Sequence, residues 1–124
     1  MSGIRVLCDT NVLIHLLHNN LDVIDFLTGK QVFISSITEL ELYGKRNMTP
    51  KELSIINMLI ESCYVVELTY PVKQIVKQLK QKYRINLPDA IVAATALQSD
   101  IPLVTFDADF RNIKDLKLVL LKIY

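Results

Sequence analysis

The side chains best placed to do chemistry are four carboxylates, Asp9, Glu41, Asp89 and Asp107. Taken one at a time, each has a plain structural explanation. Asp9 and Asp107 could cap helices, Glu41 could close a capping box with Thr38, and Asp89 could favour a helix start. Taken together they ask for more. Two carboxylates about 4 Å apart repel by ~4 kcal/mol at an effective dielectric of 20, so four gathered at one place need cations or shared protons. A donor set of oxygens alone selects hard ions, Mg²⁺ or Mn²⁺, over zinc. Such ions in acidic pockets activate water and stabilise charge developing on a phosphoryl group, which points to phosphodiester or phosphomonoester chemistry. Thr10 and Asn11 follow Asp9 directly and are short polar groups able to orient a ligand or a water.

The other metal-binding residue types are sparse. The two histidines, His15 and His18, lie three apart on a predicted helix and read as surface or interface imidazoles rather than a shared metal site. Cys8 and Cys63 both lie in apolar runs and read as buried free thiols in a reducing compartment.

For the acids to meet, the chain must bring together segments far apart in sequence. Ile4 to Cys8 is a short apolar run ending at Asp9 and reads as a buried strand. Val32–Ser35, Tyr64–Leu68, Leu103–Thr105 and Leu118–Leu121 read the same way. Helices are predicted between them over Asn11–Leu17, Asp22–Leu27, from a Thr38 cap to near Gly44, from Thr49-Pro50, along the Val72/Ile75/Val76/Leu79 stripe, and over Asp89–Gln98. Strands separated by helices imply crossover connections. The expected fold is a three-layer α/β/α sandwich with a central, mostly parallel sheet, formed by residues 1–124 as one domain. In such a sheet ligands bind beyond the carboxyl ends of the strands, at a switch point. Asp9, Glu41 and Asp107 follow strands, and Asp89 opens a helix where the chain re-enters the sheet layer.

Composition sets the outer limits. With 124 residues, 51% hydrophobic and 22% charged, the chain is long enough for one core and too apolar to be disordered. No run reaches the ~18 uninterrupted apolar residues of a membrane span, and Asp9 follows too soon for a signal peptide. A domain without membrane contact, in the cytoplasm, is expected. The net charge of +1 is uninformative, but its distribution is uneven. Residues 1–43 carry five acids against two bases, whereas residues 68–88 carry Lys73, Lys77, Lys80, Lys82 and Arg84 and no acid.

Four segments resemble the motifs of PIN-domain ribonucleases. Val6-Leu7-Cys8-Asp9-Thr10-Asn11-Val12-Leu13 is similar to the first, and Ile34 through Gly44 to the second. Leu87-Pro88-Asp89-Ala90-Ile91-Val92-Ala93-Ala94 is similar to the third, and Leu103-Val104-Thr105-Phe106-Asp107-Ala108-Asp109-Phe110 to the fourth. Order, spacing and length agree over essentially the whole chain, and the short length is similar to VapC-like toxins of toxin–antitoxin pairs.

The resemblance implies an endoribonuclease in which Asp9, Glu41, Asp89 and Asp107 hold one or two Mg²⁺ or Mn²⁺ ions. Glu39 shares the second segment, and the family's usual place three residues after Thr38 selects Glu41. Thr10, Asn11, Thr105 and Asp109 are implied as supporting residues. Lys45, Arg46, Lys80 and Arg84 are candidates for contact with the RNA backbone. The implied partners are an RNA substrate, an antitoxin protein and a second copy in a homodimer. Alternatives are a PIN-fold RNA-processing nuclease without an antitoxin, an inactive binding module, and an Asp-nucleophile phosphatase. The phosphatase generally needs an acid where Asn11 stands.

Overall fold

The computed structural model describes residues 3–122. Five strands form one sheet: β1 (Arg5–Cys8), β2 (Gln31–Ser35), β3 (Tyr64–Val66), β4 (Leu103–Thr105) and β5 (Leu118–Leu120). Their order is β3-β2-β1-β4-β5, and every neighbouring pair is parallel. The helices are α1 (Thr10–Leu17), α2 (Leu21–Leu27), α3 (Ser36–Leu42), α4 (Pro50–Glu61), α5 (Tyr70–Lys82) and α6 (Leu87–Ser99), with a short 3₁₀ helix at Ala108–Asn112. The expected three-layer arrangement is present, and its sheet is entirely parallel.

Alternation along β1 sorts the core into two halves, because successive strand residues face opposite sides of a sheet. Val6 and Cys8 pack with Val12 and Leu13 of α1, Val23 and Leu27 of α2, and Ile56 of α4. Leu7 faces the other way, onto Val72, Val76 and Leu79 of α5 and the Ala90–Ala94 run of α6. Helix α6 is buried along Ala90–Ala96, as its small and apolar composition requires.

Several boundaries differ from the sequence reading by a residue or two, β3 ending at Val66 rather than Leu68, and two helix starts differ in how they are capped. Helix α3 is capped by Ser35, whose hydroxyl accepts from the Thr38 N–H at 3.2 Å, so Thr38 lies inside the helix and forms no capping box with Glu41. Ser35 ends β2 and starts α3 with no intervening loop. Helix α6 starts at Leu87, one residue before Pro88, because Asn86 caps it by accepting from the Asp89 N–H at 2.9 Å. The helix from Pro50 has the full reciprocal capping box, Thr49 with Glu52. Cys8 is buried and Cys63 half-buried, both as free thiols. Among the described residues no helix is long and apolar enough to cross a membrane.

Candidate active site

The strand order places a topological switch beside β1: the chain runs from β1 outward through β2 to β3, then returns to lay β4 along the other side of β1. The carboxyl ends of β1 and β4 are therefore adjacent, and crevices of this kind collect ligands in parallel sheets. Asp9 leaves β1 there and caps α1, its Oδ1 accepting from the Val12 N–H at 3.2 Å. Its Oδ2 accepts from the hydroxyl of Thr105, the last residue of β4. The same Thr105 oxygen accepts the Asp107 N–H at 3.0 Å. One buried threonine thus ties the first acid to the turn that carries the last. Asp107 in turn caps the 3₁₀ helix, its Oδ1 accepting from the Asp109 N–H at 2.9 Å.

Glu41 reaches the site from the second half of α3, where its Oε1 accepts from the Thr10 hydroxyl. Glu39 lies in the first turn of the same helix, where a carboxylate suits the helix dipole. Asp89 projects from the first turn of α6.

The charges of the other three acids all act on Asp89. Burial raises the Asp9 carboxyl above its ordinary value, opposed by the Thr105 hydrogen bond and reinforced by the charge of Asp107. Burial likewise raises Asp89, followed by the charges of Asp107, Asp9 and Glu41, while the Asn86 side chain favours its ionised form. The two ion pairs among the described residues, Lys45–Glu52 and Lys117–Asp100, involve none of the four. Uncompensated like charge is what a cation site looks like before its cation is counted. Among the described residues no three Asp, Glu, His or Cys groups stand as a ready-made metal cage. The fit to a hard divalent ion rests instead on charge and on an all-oxygen donor set.

The remaining predicted residues fall into distinct places. Asn11 is exposed beside Asp9 and Thr10. Asp109 contributes its backbone N–H to Asp107, while its exposed carboxylate lines a cavity of about 350 Å³ together with Asp89, Asp107, Arg84, Tyr83 and Asn112. Of the four basic candidates, Arg84 is the one that lines this cavity. Lys45 pairs with Glu52 at 2.5 Å, Lys80 donates to the Ile85 carbonyl, and Arg46 is exposed on the loop before α4. The imidazole of His15 packs on Phe106 with centroids 4.6 Å apart and contacts the Asn20 amide at 3.1 Å, while His18 ends α1.

The sequence reading passed over Ser35, Asn86, Tyr83 and Asn112. The two caps were findable, since a Ser or Asn precedes each helix and lies three residues before the N–H it accepts. Tyr83 and Asn112 carry no such signal, because only the folded chain makes them neighbours.

The PIN-domain family pattern matches residues 6–116. Among solved structures, a toxin–antitoxin complex from Klebsiella pneumoniae contains a chain 28% identical, with a TM-score of 0.82, covering 95% of this chain and 99% of that one. A VapBC-1 structure from nontypeable Haemophilus influenzae is similar at 25% identity and a TM-score of 0.74, covering 94% and 98%. A DNA-bound VapBC from Salmonella typhimurium shares the fold at 22% identity and a TM-score of 0.78, covering 94% and 97%. No curated protein sequence matches the chain. A pattern running from β1 past β4 and across all four acids, together with this fold, makes the chain a member of the PIN-domain family of nucleases.

Proposed function

We propose that the chain is a Mg²⁺- or Mn²⁺-dependent endoribonuclease acting as the toxin of a toxin–antitoxin pair. What supports this reading is that Asp9, Glu41, Asp89 and Asp107 lie beyond the carboxyl ends of the strands or on the helices beside them, that the other three act electrostatically on Asp89, and that none pairs with a positive side chain among the described residues. Those four carboxylates are the residues that would hold the ions. A bound divalent ion supplies charge to offset the pentavalent phosphate and lowers the pKa of water.

The chain's own residues do the positioning. Thr105 fixes the Asp9 carboxylate and the Asp107 backbone with one hydroxyl, and Thr10 fixes Glu41. Asp109 supports Asp107 through its N–H, and Asn11 stands beside the first acid. Arg84, which lines the cavity beside Asp89 and Asp107, is the basic group best situated to meet an RNA phosphate, while Lys45 is paired with Glu52 and Lys80 with the Ile85 carbonyl. Hydrolysis would break the bond from phosphorus to the 3′-oxygen, leaving a 5′-phosphate and a 3′-hydroxyl.

The toxin role is supported by the similar chain from Klebsiella pneumoniae, whose structure is described as a toxin–antitoxin complex. It entails an antitoxin partner, a homodimer and a place in the cytoplasm. The test of the activity is direct. Purified protein cuts single-stranded RNA with Mg²⁺ or Mn²⁺, stops on addition of EDTA, and loses activity in Asp9→Asn; undiminished cutting in EDTA refutes the reading. Co-expression with the product of the adjacent reading frame tests the partner, which must co-purify and suppress cleavage.

A further inference from the structure

The cavity beside the acids has features that ion binding does not explain. Its two walls come from different parts of the chain, the turn from Tyr83 to Asn86 after α5 and the 3₁₀ helix near Asp109 and Asn112. They are fastened together, because the Tyr83 hydroxyl accepts the Lys114 N–H at 3.0 Å. Lys80 holds the turn itself through the Ile85 carbonyl at 2.5 Å. The space of about 350 Å³ is therefore built before any ligand arrives, and it falls within the size range of small-molecule sites.

Its chemistry narrows the occupant. Asp89, Asp107 and Asp109 all line it, so a phosphate is repelled from that side. A neutral planar group with N–H donors is not. Asp109 is spare for such a role: its N–H serves Asp107, but its carboxylate is exposed and is not among the leading charges acting on Asp9 or Asp89. Arg84 lines the same space, makes no ion pair among the described residues, and offsets one of the three negative charges there. Tyr83, Ile85 and Ile113 supply apolar surface, and Asn112 supplies an amide.

We propose that this cavity is a base-recognition subsite for a guanine next to the scissile phosphate, with the Asp109 carboxylate as acceptor and the Asn112 amide as its companion. Single-stranded RNA is read in this way, by unstacked bases placed on aromatic or guanidinium surfaces and bonded along their Watson–Crick edges. Guanine is selected because its edge offers two adjacent N–H donors to a carboxylate. Cytosine and adenine offer one donor beside an acceptor, and uracil one donor between two acceptors. Arg84 would meet the flanking phosphate at the mouth. The inference rests on the ribonuclease reading for its substrate, but the subsite can be tested without cleavage.

The isotope-labelled full chain is titrated with GMP, AMP, CMP, UMP, ribose 5-phosphate and arginine amide, and followed by amide resonances. GMP is expected to shift Tyr83–Asn86 and Asp109–Ile113 and to bind at least fivefold tighter than UMP, with Asp109→Asn reducing that ratio below twofold. In parallel, Mg²⁺-supported cleavage of a random-sequence single-stranded RNA is expected to show guanine enriched at one position beside the cut, and Asn112→Ala and Asp109→Asn to flatten that enrichment. GMP binding no tighter than UMP, shifts outside the two walls, or arginine amide occupying the cavity in place of GMP each overturns the subsite. Cleavage without base preference also overturns it and leaves the nuclease reading standing. GMP binding in the cavity without any cleavage does the reverse.

Discussion

Asp9 uses its two oxygens differently, one to cap α1 and one to meet Thr105. The capping and catalytic explanations of that residue are therefore not rivals. Asparagine caps about as well as aspartate, so Asp9→Asn should keep the helix and lose the charge. We expect cleavage to fall by about 10³-fold or more while the metal-free melting temperature holds or rises, as befits a site strained by like charge. A melt well below the parent's would mean that Asp9 is chiefly structural. Glu41→Gln should likewise abolish metal-dependent cutting, whereas Glu39→Gln, in a first-turn position, should retain most of it. Rate measurements on the two variants decide the assignment, and the reverse pattern would move it by two residues. The raised Asp9 and Asp89 carboxyls also set a pH dependence. Between the unfolded and the raised folded values, the folded state holds more protons than the unfolded one. Stability of the metal-free protein must then decline as pH rises through that interval and be regained on mild acidification. Denaturant titrations of the parent from pH 4 to 7 should show the decline, and Asp9→Asn and Asp89→Asn should each flatten it.

At the scale of elements, helix starts do the positioning. Glu41 and Asp89 reach the site because α3 and α6 begin where Ser35 and Asn86 stop the preceding backbone. Apolar runs and stripes, with cap and breaker residues, were enough to find every strand and α-helix, but not the 3₁₀ helix at Ala108–Asn112, which is too short to carry a periodicity. The α3 cap was misread because Thr38 and Glu41 have capping-box spacing, while Ser35 looked like the end of a strand. Spacing alone cannot separate them. The buried Ser35 hydroxyl, which also donates to Thr38 at 3.3 Å, decides it. Asn86→Ala should cost about 1 kcal/mol as a lost cap. It should also remove a side chain that favours ionised Asp89, so activity should fall and its pH profile move upward. Thermal melts and a pH–rate profile measure the two effects separately, and an unmoved profile would leave Asn86 as a cap alone.

For the molecule as a whole, the four acids and the sheet edge they share were readable from the alternation of strands and helices, but the contacts that tie them together were not. They depend on a strand order that brings positions 9 and 105 together, and composition carries no record of that order. The motif resemblance supplied what periodicity lacked, and the Asp9–Thr105 contact is its physical counterpart. The convergence predicts that Mg²⁺ stabilises the folded chain. Binding to the native state alone adds about 2.7 kcal/mol at a hundred times the dissociation constant. A melting temperature that climbs with Mg²⁺ in the parent and stays level in Asp89→Asn would bear this out, and equal shifts in both would place the ion elsewhere.

A parallel sheet also sets the order of events during synthesis. No pair of neighbouring strands can form as a local hairpin, and β1 must wait for β4 before its second edge is covered. Asp9 emerges from the ribosome early, yet its partner Thr105 arrives 96 residues later. A half-made chain therefore carries the first acid with its local cap on α1 but without the Thr105 contact that fixes its other oxygen. If the proposed ribonuclease reading holds, cleavage must wait until nearly all of this sequence has been made, and a premature stop before Leu103 should yield a fragment without activity.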